Sequence, residues 1–178
     1  MLFGLFKSRP EKQLARALYE HVLAAARQPA LYGEDRVPDT LEGRFEMVVL
    51  HTALVIRVLQ ASPDEAHRKL SQALFDTMFD DFDAGMREMG VGDSGVGKKI
   101  RFMAEGFYGR ANVYDEALKD EAPGVLELAI ARNIFASDEV DSASRELSNY
   151  VRASAEKLDA QGALTLAEGP APDFSSPG

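Results

Sequence analysis

Apolar positions recur at steps of three and four along nearly the whole chain, the spacing of one helix face, and no stretch alternates long enough to make a useful strand. A first helix is predicted after Pro10, with Leu14, Ala17, Leu18, His21, Val22 and Ala25 on one face, ending before Pro29. Turn formers over residues 32–38 lead to Asp39 and Thr40, candidate caps of a second helix running to about Gln60. That helix carries Phe45, Val48, Val49, Thr52, Val55, Ile56 and Leu59, with Leu50, Ala53, Leu54 and Val58 making it apolar on more than one face. Such a helix is a central, buried element, and Glu46, His51 and Arg57 interrupt it too often for a membrane span. Ser62, Pro63 and Glu65 read as the cap, first position and capping-box acid of a third helix reaching about Met89.

On helix geometry Phe75, Phe79, Phe82 and Met86 form one stripe of that third helix, flanked by Leu74, Met78, Gly85 and Met89. Asp76, Asp80, Asp83 and Arg87 form a second stripe beside it, while Asp81 falls on the opposite edge, where an acid needs a buried partner. A glycine-rich loop over residues 90–97 precedes a basic helix start, Lys98, Lys99 and Arg101, whose helix shows Ile100, Met103, Phe107, Ala111, Tyr114 and Leu118 on one face. A further helix restarts at Pro123 and runs to about Phe135, and Ser137-Asp138-Glu139 opens a last one to roughly Asp159. The expectation is an all-α chain: a tip over residues 1–9, one compact domain of about six helices over 10–160, and a flexible Pro, Gly, Ser and Ala-rich tail over 161–178.

Composition narrows the function. The 178 residues suit one domain, and 46% apolar with 28% charged residues excludes wholesale disorder and fibrous architectures. A net charge of -9 argues against a DNA binder, because neutralising phosphates supplies most of that affinity. The absence of Cys excludes disulfides, thiolate metal sites and cysteine nucleophiles. The charge is uneven: residues 1–60 net +1, 61–95 net -5, 96–119 net +2 and 120–178 net -7. The chain opens with six residues, Met1 to Phe6, that are apolar apart from Gly4, followed by Lys7, Arg9, Lys12 and Arg16. That tip is far shorter than the roughly 20 residues a spanning helix needs. A cytoplasmic protein is expected, with peripheral contact at the inner face of the cytoplasmic membrane.

Three features bear on chemistry. Gly92 to Lys98 fits the G-x-x-x-x-G-K phosphate loop, but Lys99 stands where Ser or Thr would hold magnesium, and a helix rather than a strand precedes it. Cations in the first turn of a helix oppose its dipole, so Lys98, Lys99 and Arg101 call for an anion: either the Asp76, Asp80 and Asp83 stripe, solvent, or an external partner. Asp80-Asp81-Phe82-Asp83 has the composition of magnesium-diphosphate helices in prenyl-transferring enzymes, which leaves a magnesium-dependent enzyme as the alternative function. Asp81 points away from Asp83, however, and no second aspartate-rich motif exists. His21, His51 and His67 fall on three predicted helices without the acidic spacing of a metal site, so neither metal nor cofactor is assigned. Gly106 and Gly109 inside a helix suggest close approach of another backbone, and Phe107 or Tyr108 beside Arg110 suits a protein-binding hot spot if exposed.

Taken together, the run from Ala73 to Asp83, Arg87 to Asp93, Lys98 to Arg101, Phe107 to Arg110 and the upstream Arg44-Phe45-Glu46-Met47 resembles the ubiquinol-cytochrome c chaperone family over roughly residues 10–150. One departure is Gly97, where that family's loop commonly carries proline. The resemblance implies an all-helical, non-catalytic assembly factor for respiratory complex III. Its mitochondrial members bind newly made cytochrome b at the ribosome exit, with a small helper. It implies a protein client, cytochrome b or another complex III component, with membrane or ribosome contact. Asp76, Asp80, Asp83, Lys98, Lys99, Arg101, Phe107, Tyr108 and Arg110 match its motifs and are the candidate partner-binding residues.

Overall fold

The computed structural model describes residues 10–120 and 122–178; the apolar and basic tip over 1–9 lies outside them. Six α-helices follow one another: α1 (Pro10–Ala26), α2 (Leu41–Ala61), α3 (Glu65–Glu88), α4 (Asp93–Lys119), α5 (Val125–Ile134) and α6 (Ser142–Ala167), with a 3-10 turn at Pro29–Leu31. The described residues contain no strand, only one isolated bridge between Tyr32 and Val37. Helix α2 packs against all five others and is the axis of the domain. Its run from Met47 to Ile56 is buried on every side, as an all-round apolar helix must be.

Local chemistry sets the boundaries. Thr40 caps α2 by accepting the Gly43 N–H at 3.0 Å. Gly43 is obligatory there, since a Cβ would sit 2.1 Å from the Pro38 carbonyl oxygen. The cap of α3 is Asp64, which accepts the Ala66 N–H at 2.8 Å, and not Ser62. The Ser62 hydroxyl instead accepts the Asp64 N–H and meets the His67 ring at 2.8 Å. Helix α4 begins at Asp93, inside the glycine-rich stretch, so Lys98, Lys99 and Arg101 lie beyond its first turn. Acidic Asp93 occupies that turn, as the helix dipole favours. Helix α6 opens at Asp141 rather than Ser137: Asp141 accepts the Ser144 N–H at 2.8 Å while Ser144 Oγ accepts the Asp141 N–H at 2.9 Å. Those backbone and hydroxyl bonds hold the Asp141 carboxyl below its ordinary value.

The buried face of α1 is turned relative to the sequence reading. His21 is exposed, whereas Tyr19 is 3% exposed and donates its hydroxyl to Asp81 at 2.9 Å. Asp81 therefore has the partner that its position on α3 required. Met89, read as flanking the apolar stripe, is instead 59% exposed just past the end of α3.

The C-terminal segment makes contacts that its composition does not announce. Gly162 breaks α6 at φ 75, and the chain continues through the fully buried Leu166 before running back along α6. Gln161 clamps it twice, donating to the Ala171 carbonyl at 2.9 Å and accepting the Asp173 N–H at 2.9 Å. Lys157 pairs with Asp173 at 3.2 Å, and Ser154 Oγ accepts the Ser175 N–H at 3.0 Å. Phe174 meets the His51 ring edge-on at 4.9 Å between centroids. His51 is fully buried in α2; its Nδ1–H donates to the Met47 carbonyl and its Nε2 accepts the Tyr150 hydroxyl, both at 2.7 Å. Burial holds its imidazole neutral, with the pKa lowered from 6.5 to about 4, and raises the Tyr150 phenol to about 12.

Candidate functional site

The quoted motifs converge where α2, α3 and α4 meet. Phe75 and Phe79 on α3 meet at a tilt, 4.7 Å between ring centres; Phe75 lies 5.2 Å from Phe107 and stacks on Tyr108 of α4 at 5.1 Å, and Phe82 lies 5.0 Å from Phe45 on α2. Offset and edge-on contacts of this kind add to apolar burial. Phe107, 2% exposed, is core and presents no surface. Tyr108, one residue on, is 54% exposed and lies over Phe75.

Arg110 reaches inward. Its Nε and Nη2 donate to Glu46 Oε2 and Oε1 at 2.7 and 2.6 Å, a two-pronged pair joining α4 to α2. The Glu46 side chain is only 11% exposed, and burial raises its carboxyl above the ordinary value although Arg110 pulls it down. Tyr114, one turn on, is buried, and its phenol is raised by desolvation and by the nearby Glu46 charge. The glycines of this helix do not admit a second backbone. A Cβ on Gly106 would meet the Arg110 guanidinium at 2.8 Å, so Gly106 clears the arginine's path to Glu46, and Gly109 faces open space.

The aspartates are separated by their partners. Asp76 accepts from Gln72 at 2.8 Å, Asp83 takes Arg87, and Arg87 also bonds Asp93 across the α3–α4 turn. Asp80 is exposed. Among the described residues no group of three or more His, Asp or Glu side chains could hold a metal ion. The phosphate-loop pattern fares no better, because Asp93 to Gly97 are wound into the start of α4.

Lys98, Lys99 and Arg101 are exposed and take no ion-pair partner among the described residues; the neighbouring acidic stripe does not neutralise them. Beside them stands Phe102, 77% exposed, which sequence reasoning passed over. The signal was available: Phe102 falls off the Ile100, Met103, Phe107 stripe, and a large apolar residue on the polar face of an amphipathic helix is unusual. The outward face of α4 thus carries three cations without an ion-pair partner among the described residues, together with Phe102, Tyr108 and the 43% exposed Val113.

The motif aromatics of this bundle knit three helices together, and α4 shows aromatic and cationic side chains to solvent. The chain belongs to the ubiquinol-cytochrome c chaperone family: the family model described as "Ubiquinol-cytochrome C chaperone" matches residues 34–174. The match extends to Phe174 and takes in most of the docked C-terminal segment. The chain is also similar to the crystal structure of the Cbp3 homolog from Brucella abortus, at 33% identity and a TM-score of 0.82, covering 96% of this chain and 93% of that one. No curated protein matches. Among the described residues no helix is long and apolar enough to cross a membrane.

Proposed function

We propose that this protein is an assembly chaperone of respiratory complex III, acting at the cytoplasmic side of the membrane, that holds cytochrome b before its partner subunits arrive. The observation that carries the reading is the pairing of family membership with an α4 face whose Tyr108 is exposed yet anchored on the Phe75–Phe107 cluster. A half-exposed aromatic held by rigid neighbours contacts an apolar client segment with little loss of side-chain freedom. The roles of six of the nine motif residues then divide. Tyr108 meets the client; Phe107 and Arg110 fix the helix that presents it; Asp76, Asp80 and Asp83 border the face, with Asp83 holding the α3–α4 turn through Arg87.

The test is genetic and chemical. Deleting the gene should deplete complex III, and a photo-crosslinking residue at position 108 should capture newly made cytochrome b. Normal complex III levels in the deletion strain would overturn the assembly role. Capture of a different complex III subunit would overturn the client assignment.

A further inference from the structure

The cationic end of α4 has chemistry that a client-binding role does not require. On helix geometry Arg101, Lys98 and Phe102 fall within about 100° of one another, with Lys99 next to Phe102 on the other side. All three cations are exposed and none has an ion-pair partner among the described residues, although an acidic stripe lies on the adjoining helix. Phe102 has more than three quarters of its surface in solvent, and Met89, at the close of α3, is also exposed. The cavities along the 30–37/143–150 edge and around Arg27, Tyr32 and Arg44 are not lined by α4.

We propose that this end of α4 docks the protein on an anionic lipid bilayer, with Phe102 entering the headgroup region and Lys98, Lys99 and Arg101 contacting lipid phosphates. The form of the surface favours a bilayer over an acidic protein. An aromatic hot spot of a protein interface gains its affinity in a fitted, desolvated pocket, whereas a Phe standing clear of its helix and flanked by cations suits a fluid surface that closes around it. Charge complementarity sets the orientation. The segments 61–95 and 120–178 carry net -5 and -7, so an anionic surface repels most of the molecule and attracts the +2 segment 96–119. The inference does not depend on which client the chaperone holds.

The full chain would be sedimented with vesicles of phosphatidylcholine mixed with phosphatidylglycerol, and with vesicles of phosphatidylcholine alone. Binding to the anionic vesicles that weakens with salt is expected, with none to the neutral ones. Each cation near an anionic surface is worth roughly a factor of five in partitioning, so reversing Lys98, Lys99 and Arg101 to Glu should weaken binding at least a hundredfold. Phe102→Ser should weaken it about tenfold while leaving the salt dependence in place. All four side chains are exposed, so the variants should melt with the parent. Equal binding to both vesicle types, or undiminished binding of the charge-reversed variant, would overturn the proposal. So would competition by polyglutamate with no effect of Phe102→Ser, which would assign the face to an acidic protein.

Discussion

Replacing Arg110 by Ala tests whether this motif residue acts at the surface or in the frame. The change strips the Glu46 carboxylate of both guanidinium bonds and leaves it on α2 with an 11% exposed side chain. Breaking a fully buried pair by removing one partner costs about 3–5 kcal/mol. Because the Arg110 side chain is 29% exposed, solvent screening brings the expected cost to about 2–3 kcal/mol. For a domain of this size that is a fall of about 4–12 °C in melting temperature, read by circular dichroism. The pH dependence carries a second signature. Burial already raises the Glu46 carboxyl, and losing Arg110 raises it further, so acidification neutralises the stranded charge and narrows the gap between variant and parent. Replacing both partners by Leu should recover most of the loss, since no charge is then left buried. An Arg110→Ala protein that melts with the parent, or a double variant as unstable as the sum of the single ones, would refute this account.

Three further outcomes follow from the same structure. His51 is held neutral, its pKa lowered from 6.5 to about 4, so its contribution is complete above about pH 6.5 and is lost as pH falls toward 4. The effect is roughly 3 kcal/mol, and urea titrations across that window should show His51→Gln losing this part of the slope. Gly43→Ala drives a Cβ into the Pro38 carbonyl and should destabilise by about 2–4 kcal/mol in urea melts; a change under about 0.5 kcal/mol would show that the 38–43 turn is not fixed. Asp141→Ala removes the capping box of α6 and should cost about 1 kcal/mol, whereas Ser137→Ala, at the start read from sequence, should cost less.

What sequence could and could not supply divides along physical lines. Helix number, order and the identity of α2 as the central element were legible, because a burial pattern repeats with the helical period and tells inside from outside without naming a partner. The Asp81 requirement was legible in the same way, though Tyr19 as its answer was not. Starts were less so. Ser62, Asp64, Ser137 and Asp141 all accept a backbone N–H, and which of them stands at the helix start depends on how the preceding turn is directed. The glycines before Lys98 concealed the first turn of α4, since Gly is a poor helix former that tertiary packing overrides; Val96 in that turn is fully buried. The Glu46–Arg110 pair spans 64 residues and depends on the crossing of two helices, which no local pattern encodes. Phe102 was visible and unweighted.

The link from His51 to Tyr150 orders the events of synthesis. The two residues are 99 positions apart, and at bacterial and eukaryotic elongation rates the ribosome needs roughly 5–20 seconds to make the second after the first. For that time the central helix of the protein is out of reach of α6 and of the Phe174 segment. Closure of the core is therefore a late event, set by arrival of the last few dozen residues. A truncation that removes Phe174 and Ser175 consequently acts on the centre of the molecule.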